Sequence, residues 1–384
     1  MRVGIFTNNY LPMRGGVTTA VETLRRGLEA QNHCAWIFAP RFRSVPADPP
    51  FVFRYPSVPA PTYPDFPLAV PFSQRLAGQV RRLDIEIFHA QHPFLLGHTA
   101  RRLAGRLGRP LVFTYHTRYE KYAHYVPFRR ELVEAAAIRW SCRFADRSDL
   151  VIAPSARIRD TLKERGVRAP IEIVPTGIEL DRFMPGERAG ARIGLGLPLD
   201  DLILLYVGRL DREKSVERLL TAFEQVAGVI PTARFVLVGS GTEASSLRDQ
   251  ARRSPAGRRI EFRGVLPREE LPPYYRAADL FVFASETETQ GLVLAEAAAA
   301  GLPAVAVGAS GVDEVIVNGE TGILTKSEPR ELADAAIELL LDPDRRRAMG
   351  QSARRLAERE FCAGRQVRRI AALYEALLAE WKQR

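Results

Sequence analysis

The sequence predicts an α/β protein made of two domains, each built on a parallel sheet. Short apolar runs, which are typical of strands buried on both faces, alternate along the chain with stretches of helical periodicity. Such an alternation favours parallel sheets with helices on their faces. A length of 384 residues is enough for two domains. A stretch rich in Gly, Pro and charge, residues 178–201, is expected to be the linker between them.

The first half begins with a predicted strand, Val3–Phe6, and an irregular loop that ends in Gly15-Gly16. Apolar residues then recur at helical spacing from Val17 to Leu28. A glycine pair directly before a helix N-terminus lets the backbone approach an anionic ligand, although such pairs also make ordinary turns. The other predicted strands of this half are Ile85–Ala90, Leu111–Tyr115, Leu150–Ala153 and Ile171–Val174.

A Pro- and aromatic-rich segment runs from Arg54 to Phe72 and contains six prolines. Because proline removes a backbone donor, the segment is predicted to be a long loop without regular structure. Its apolar side chains either contact something apolar or pack on their own domain.

The second half repeats the alternation of strand and helix. A small-residue helix is predicted from Leu292 to Gly301, and helices dominate from Pro329 to Trp381. The motif Asp342-Pro-Asp344 lies between two of these helices and is interpreted as a helix cap. The predicted strands are Leu202–Val207, Phe235–Gly241, Ile260–Leu266, Leu280–Phe283 and one that begins at Pro303.

The positive charge of the chain is concentrated in its first half. Residues 1–180 hold 26 Lys and Arg and 15 Asp and Glu, a net charge of +11, whereas the whole chain carries +10. Such asymmetry indicates an anionic bilayer, a nucleic acid or an acidic substrate as partner, or only a soluble Arg-rich surface. No nucleic-acid-binding motif is present, so no nucleic acid is expected. Three scattered cysteines, and the absence of a signal-peptide or membrane-spanning run, favour a reduced cytoplasmic protein.

A basic amphipathic helix is predicted over residues 128–146. Arg129, Arg139, Arg143 and Arg147 fall on one face of it. Another face is apolar and consists of Val133, Ala137, Trp140 and Phe144. This pattern suits an anionic lipid surface, although an ordinary solvated surface helix would also show it.

Charged and polar residues follow several predicted strands at the point where each ends. His116 follows a strand of the first half, whereas Arg209, Lys214 and Glu288 follow strands of the second half. The carboxyl ends of parallel strands form the ligand-binding edge of an open α/β sheet. An arginine and a lysine at this edge suit a diphosphate, the first as a planar fork and the second as a point charge. On one helix, Glu288 and Glu296 would lie roughly 12 Å apart, which suits the two ends of an elongated ligand.

These residues together resemble the donor site of the retaining glycosyltransferases of family 4, which have the GT-B fold. The spacing Glu288-x7-Glu296 carries the resemblance, with Arg209-x4-Lys214, Gly16 and His116. It covers essentially the whole chain and implies two Rossmann-like domains whose parallel sheets face each other across a cleft. The implied domains are an acceptor- and membrane-facing domain over 1–180, a nucleotide-sugar domain over 181–362, and a helix over 363–384 that packs back toward the first domain.

The resemblance also implies a role for each residue. Arg209 and Lys214 bind the donor diphosphate as it leaves, while His116 and Glu288 are the catalytic residues that position the sugar, and Glu296 contacts the ribose. Since the two cations stabilise the leaving group, no metal and no other cofactor is expected. The other implied donor contacts are Gly15, Gly16, Thr289, Gln290, Gly291, Leu292 and the backbone at Val265.

One branch of the family, the diacylglycerol glucosyltransferases, is resembled most. The sequence Thr-Tyr-His-Thr-x-Tyr-Glu-x-Tyr-x-His-Tyr-x-Pro over residues 114–127 carries this resemblance, together with Gln290. It implies UDP-glucose as donor, diacylglycerol as acceptor, and a peripheral location on the inner face of the cell membrane. The residues expected at the acceptor or membrane are Tyr115, Tyr119, Arg129, Arg139 and Arg143.

Several alternatives stay open at this point. UDP-galactose and GDP-mannose are alternative donors, and a saccharide or another soluble molecule is an alternative acceptor. A nucleotide-sugar-binding protein without transfer, or an epimerase on the same fold, is the alternative in a different functional class.

Overall fold

The computed structural model describes residues 1–13, 15–42, 47–60, 67–121 and 129–383. They form two compact units, one of Met1–Gly177 with Ala363–Arg384 and one of Ile178–Cys362. No helix in these ranges combines the length and the apolar content that crossing a bilayer requires. Residues 122–128 of the predicted acceptor motif and residues 61–66 of the Pro-rich segment lie outside the described ranges.

The first unit contains nine described strands. They are β1 (Arg2–Phe6), β2 (Cys34–Pro40), β3 (Val52–Tyr55), β4 (Ser57–Pro59), β5 (Pro67–Ala69), β6 (Ile87–Ala90), β7 (Leu111–Thr114), β8 (Leu150–Ala153) and β9 (Ile171–Ile173). Seven of the described strands form one sheet in the order β3-β2-β1-β6-β7-β8-β9, and every neighbouring pair in it is parallel.

The second unit contains six described strands in one parallel sheet. They are β10 (Leu202–Val207), β11 (Ala233–Val238), β12 (Ile260–Gly264), β13 (Leu280–Phe283), β14 (Ala304–Val307) and β15 (Gly322–Thr325). Their order in the sheet is β12-β11-β10-β13-β14-β15. The predicted class, two parallel-sheet α/β domains, is therefore confirmed.

Helices flank both sheets. They are α1 (Gly16–Glu29), α2 (Gln74–Arg82), α3 (Leu96–Leu107), α4 (Arg130–Ala145), α5 (Ala156–Glu164), α6 (Arg188–Leu195), α7 (Val216–Val229), α8 (Ala244–Arg253), α9 (Pro272–Ala277), α10 (Leu292–Ala299), α11 (Pro329–Leu341), α12 (Pro343–Glu360) and α13 (Ala363–Gln383). The interpretation of Asp342 as a helix cap is confirmed, because its side chain accepts from the N–H of Arg345 at 2.9 Å in the first turn of α12.

The first sheet is buried on both faces, as its apolar runs predict. Val3 and Ile5 of β1 point into one apolar cluster, and Phe6 points into another. In the second cluster the ring of Phe6 stacks on Phe38 at 4.4 Å and on Phe88 at 5.7 Å between centroids. Alternate residues of one strand thus serve two cores, which is the arrangement of a sheet covered by helices on each side.

Helix α13 completes the first of these clusters. A Cβ on Gly27 of α1 would lie 2.8 Å from the side chain of Val367, so glycine is what allows α1 and α13 to pack this closely. Farther along, the hydroxyl of Tyr374 lies 2.6 Å from His89 Nδ1, and His89 Nε2 lies 2.7 Å from the hydroxyl of Thr114. A buried chain of hydrogen bonds therefore joins α13 to β6 and β7.

The Pro-rich segment differs from its prediction. Ser57–Pro59 and Pro67–Ala69 pair as antiparallel strands β4 and β5, with Val58 opposite Leu68. Pro59 ends one strand and Pro67 begins the other, so the prolines sit at strand ends, where the missing N–H is tolerated. The prediction of a segment without regular structure is therefore wrong for its described part.

The stretch predicted as a linker is part of the second unit. Phe183 is fully buried and packs edge-on against Tyr275. Arg192 of α6 is buried and donates to the carboxylate of Asp279 at 2.6 Å and to the carbonyl of Ala277 at 3.0 Å. Apolar and ionic contacts therefore pack residues 178–201 against the rest of the second unit. The prediction that these residues form a linker is wrong.

Candidate functional site

The carboxyl edge of the second sheet gathers the charged residues that the sequence singles out. β10 and β13 are neighbouring parallel strands, so the segments that follow them leave the sheet at the same edge. Arg209 and Lys214 follow β10, and Glu288 follows β13. The structure therefore brings two cations and one carboxylate together where a ligand is expected to bind.

Lys214 and Glu288 are in direct contact. The Lys214 ammonium donates to Glu288 Oε1, and the two side chains are only 13% and 18% exposed. Burial alone would raise the pKa of Glu288, but the charge and the hydrogen bond of Lys214, together with Ser285 and Arg209, outweigh burial, so the pKa of Glu288 is lowered. Glu288 is consequently a carboxylate at neutral pH, held against a cation.

Arg209 is positioned by acidic neighbours. Its guanidinium donates to Asp211 and, at 2.6 Å, to Glu213. Asp211 is buried and also accepts from the backbone N–H of Thr242 at 2.8 Å and from its hydroxyl at 3.0 Å. Asp211 thus links Arg209 to the turn after β11, while the Arg209 side chain remains half-exposed.

The segment from Thr289 to Leu292 connects β13 to α10. Gln290 is buried, Gly291 has a φ of 71°, and Leu292 begins the helix. A Cβ on Gly311, in the loop after β14, would lie 2.6 Å from the carbonyl carbon of Thr289. The backbone at Gly311 therefore packs directly against this turn, and only glycine at position 311 permits such close packing.

Glu296 lies inside α10 and has its own partners. Its Oε2 accepts from the hydroxyl of Tyr275 at 2.8 Å, and its Oε1 lies 3.4 Å from a guanidinium nitrogen of Arg268. Burial raises the pKa of Glu296, and Arg268 and Tyr275 oppose the rise. Because Glu288 precedes the helix, the spacing argument that put both glutamates on one helix is wrong.

Val265, the residue expected at the base, is 65% exposed in the loop after β12.

In the first unit, Gly15 and Gly16 occupy the predicted place. Gly16 is the first residue of α1, and Gly15 precedes it. Both residues are exposed, and a Cβ on Gly15 would meet no atom within 4 Å. The N-terminus of α1 is therefore accessible from solvent at these two residues.

His116 lies at the carboxyl edge of the first sheet, as predicted. Its Nε2 lies 2.6 Å from Oε1 of Gln91, a fully buried residue that follows the neighbouring strand β6. Burial lowers the pKa of His116 to about 4, and lowers that of His89 and of His92 to about 3. His116 is therefore a neutral imidazole at pH 7, oriented by an amide.

Of the two tyrosines expected at the acceptor, Tyr115 is only 2% exposed. Its ring packs edge-on against Phe113, and its hydroxyl lies 3.5 Å from that of Ser141. These contacts make Tyr115 part of the core rather than of a surface. Tyr119 is half-buried and packs edge-on against Tyr115 and Phe94.

Helix α4 presents arginines to solvent. Arg129, which precedes the helix, and Arg139 and Arg143 within it are all exposed. Trp140 of the predicted apolar face is 56% exposed, whereas Phe144 of the same face is buried, together with Ser141 and Cys142. Leu132 is 66% exposed as well. The outer surface of α4 therefore combines basic residues with large apolar ones.

Two residues of the site, Gln91 and Tyr275, have no signal in the sequence. Each contacts a predicted site residue from a different segment, so no spacing rule relates them to it. Asp211 lies two residues after Arg209, whose guanidinium donates to it, and this Arg-x-Asp spacing is its signal in the sequence. In the part of the chain that the structure describes, no group of three or more His, Cys, Asp or Glu side chains is arranged to hold a metal ion.

Two protein-family models match the chain. Residues 14–182 match the model described as Glycosyltransferase Family 4, and residues 188–356 match the model described as Glycosyl transferases group 1. The two matches together cover most of both compact units.

Individual relatives match over most of their length. An alpha-monoglucosyldiacylglycerol synthase of Streptococcus pneumoniae is 32% identical over 89% of this chain and 78% of its own. One from Acholeplasma laidlawii is 30% identical over 90% of this chain and 89% of its own. Among solved structures, a sucrose-phosphate synthase from Thermosynechococcus elongatus superposes with a TM-score of 0.85, at 25% identity and over 99% of each chain.

Proposed function

The chain belongs to glycosyltransferase family 4, and with its GT-B fold as premise we propose that it is a retaining hexosyltransferase acting on a membrane lipid. In this proposal the donor is UDP-glucose, and the acceptor is a lipid hydroxyl such as that of diacylglycerol. The observation that carries the proposal is the meeting of Arg209, Lys214 and Glu288 at one sheet edge.

The two cations suit the leaving group. A nucleoside diphosphate gains negative charge as the glycosyl bond breaks, and preorganised cations stabilise that charge. Arg209 offers a planar fork and Lys214 a point charge, so together they match a diphosphate without a metal ion. In the first unit, the exposed Gly15 and Gly16 at the start of α1 offer backbone N–H groups of the kind that bind phosphate.

Glu288 and His116 suit a role in positioning the sugar. Glu288 is ionised and stabilises positive charge on the sugar as the donor bond breaks. His116 is neutral, so it offers the sugar hydroxyls a hydrogen bond without an added charge. Neither residue is assigned a covalent role: the departing phosphate takes the proton of the acceptor on the same face of the sugar, which retains the anomeric configuration.

The carboxylates also separate this reaction from hydrolysis. Two-carboxylate glycosidases use one protonated and one ionised carboxyl group about 5–9.5 Å apart across the sugar. Here Glu288 forms an ion pair with Lys214, and Glu296 accepts hydrogen bonds from Tyr275 and Arg268. Transfer to an acceptor therefore fits these partners better than hydrolysis.

Three observations support a lipid acceptor. The relatives from Streptococcus pneumoniae and Acholeplasma laidlawii are named for a glucosyldiacylglycerol product. The first 180 residues carry the whole excess of positive charge. Helix α4 exposes Leu132 and Trp140 among arginines, a composition that suits an anionic bilayer surface. The protein would then bind peripherally to the cytoplasmic face of the membrane.

A saccharide acceptor is the second candidate, and one observation favours it. The sucrose-phosphate synthase that superposes on this chain is named for a sugar product, so the same fold serves soluble acceptors. Such an enzyme would use the same donor residues. Only the acceptor assay separates the two candidates.

The test is transfer from radiolabelled UDP-glucose, UDP-galactose and GDP-mannose to diacylglycerol in anionic mixed micelles, with EDTA present. A labelled glycolipid from UDP-glucose is expected. Labelled product from a soluble sugar alone would replace the lipid proposal by the second candidate. Activity that returns only when a divalent ion is added back would contradict metal independence.

A further inference from the structure

Tyr275 forms a hydrogen bond with the buried carboxylate of Glu296. The phenol hydroxyl donates to Glu296 Oε2 at 2.8 Å, and the two residues are 1% and 5% exposed. A carboxylate accepts on both oxygens, whereas a phenol hydroxyl has one proton to give. The contact therefore satisfies one oxygen of Glu296 and leaves the other oxygen for a different donor.

The tyrosine ring is fixed before any ligand arrives. Tyr275 lies in α9, which has prolines in its first turn. The ring stacks on Phe281 of β13 at 5.8 Å and packs edge-on against Phe183 at 5.4 Å between centroids. Since both neighbours are fully buried, the hydroxyl of Tyr275 keeps a constant place relative to Glu296.

Arg268 approaches the second oxygen only loosely. Its nearest nitrogen is 3.4 Å from Glu296 Oε1, a distance at the long end for a charged hydrogen bond. The Nε of Arg268 is buried and has no hydrogen-bond partner within the described ranges. Glu296 Oε1 is thus the less firmly bound of the two oxygens, and it is the one that remains for another donor.

We propose that Tyr275 is a positioning residue that aims Glu296 at the ribose hydroxyls of the donor, so that the enzyme selects ribonucleotides over deoxyribonucleotides. The inference rests on the proposed function, because it takes the ligand at this edge to be a nucleotide sugar. It adds a residue outside the Glu288–Glu296 motif to the basis of donor recognition.

Two physical effects make the phenol necessary. Without its hydroxyl, Glu296 Oε2 would be a buried acceptor with no partner, and the carboxylate would turn toward other donors. Burial already raises the pKa of Glu296, and Arg268 and Tyr275 are the groups that oppose it. Loss of Tyr275 therefore favours the protonated form of Glu296, which accepts a hydroxyl proton poorly.

The test uses calorimetric binding to the full-length protein, so it needs neither acceptor nor transfer. UDP and GDP are each compared with their 2′-deoxy and 3′-deoxy analogues. We expect the wild type to prefer the ribonucleotide over at least one deoxy analogue by about tenfold to a hundredfold, the range of a hydrogen bond to a charged group. Tyr275→Phe should reduce this preference to less than threefold, with little change in affinity for the deoxy analogue.

Two controls separate positioning from packing. Tyr274→Phe removes a hydroxyl from the adjacent residue of the same helix and should leave the preference unchanged. In a double-mutant cycle, Tyr275→Phe should add almost nothing once Glu296→Gln is present, because it acts through that carboxylate. Additive effects, or a full preference retained in Tyr275→Phe, would overturn the inference and leave the proposed function intact. A wild type that binds neither UDP nor GDP would overturn both.

Discussion

Lys214 and Glu288 lie 74 residues apart in the sequence and form one ion pair that joins the segments after β10 and β13. The pair is only partly accessible, so each charge depends on the other for compensation. On the proposed function, a donor diphosphate that approaches Lys214 would therefore meet a cation already engaged by a carboxylate, and it would share that cation with Glu288.

Lys214→Ala is expected to lower transfer by at least a hundredfold, because it removes a charge that stabilises the leaving diphosphate. It should also destabilise the second unit by about 3–5 kcal/mol, since Glu288 is left without its cation. The measurements are initial rates with saturating donor and urea denaturation. The matched control is Lys214→Ala with Glu288→Ala, in which stability should recover and activity should not. A single variant with a normal rate would exclude the diphosphate clamp.

Arg209→Lys should lower kcat by about 10²-fold although the charge is kept, because lysine lacks the planar fork. Stability should change little, since the Arg209 side chain is half-exposed and Asp211 keeps its two hydrogen bonds from Thr242. Rates and unfolding midpoints of the variant and of the wild type decide the point. Retention of more than half of kcat would mean that only charge is required at this position.

The KM for the donor and the kcat should respond to pH in different ranges. As pH falls, Glu296 takes up a proton before Glu288 does, because the pKa of Glu296 is raised and that of Glu288 is lowered. The KM for the donor should therefore rise first. The kcat should hold until the pH nears 4, where His116 becomes charged.

Pre-steady-state and steady-state rates between pH 4.5 and pH 8 test this order on the wild type. The matched control is Glu296→Gln, whose KM should be high and independent of pH over this range. A kcat that falls while KM is still constant would contradict the assignment of both groups.

The double substitution Arg139→Gln with Arg143→Gln should weaken binding to phosphatidylglycerol vesicles. Each arginine near an anionic surface contributes about 1 kcal/mol, so a loss of tenfold or more in the partition coefficient is expected. Trp140→Ser should weaken binding further, since this side chain is 56% exposed beside them. The measurement is vesicle sedimentation with the full-length protein at low and high salt.

The matched control for the membrane test is Arg252→Gln with Arg253→Gln. These residues are exposed on α8 of the second unit, and the substitution removes the same charge. Equal losses for the two double variants would show that net charge alone drives binding, and would remove α4 from the proposal.

Asp279→Asn should destabilise the second unit by about 3–5 kcal/mol, the range for breaking a buried ion pair. Asp279 is 2% exposed and accepts from Arg192 at 2.6 Å and from the N–H of Ile203 at 2.8 Å. Arg188→Ala, on the half-exposed partner, should cost less than about 1 kcal/mol. Circular dichroism is the appropriate probe, because the three tryptophans all lie in the first unit.

Much of the fold was predictable because its central strands are short apolar runs buried on both faces. β1, β7 and β13 follow this rule, and their sequences admit little else. β3 and β15 lie at sheet edges and mix buried with half-buried residues, so their runs are interrupted and they were missed. β2 was missed as well, although it is an inner strand, and its run contains the half-buried Trp36. Edge strands gain their structure from a neighbour, which a local pattern does not contain.

The residues of the candidate site were also predictable only in part. Residues in one local motif, such as Glu288 and Gly291, were found from spacing and resemblance. The partners that fix their charge and orientation come from other elements: Tyr275 from α9, and Gln91 from the segment after β6. Position along the chain says nothing about such contacts, because they exist only once the sheet has aligned its carboxyl ends.

The return of α13 to the first unit has a consequence for synthesis on the ribosome. Residues 178–362 emerge as one uninterrupted stretch and hold all the strands of their own sheet, so this unit is able to fold as soon as it is exposed. The first unit, although translated earlier, lacks the side chains of Val367 and Tyr374 until residues 363–383 have been made. The domain that starts first is therefore completed last, and a chaperone would meet its uncovered apolar face throughout the translation of the other domain.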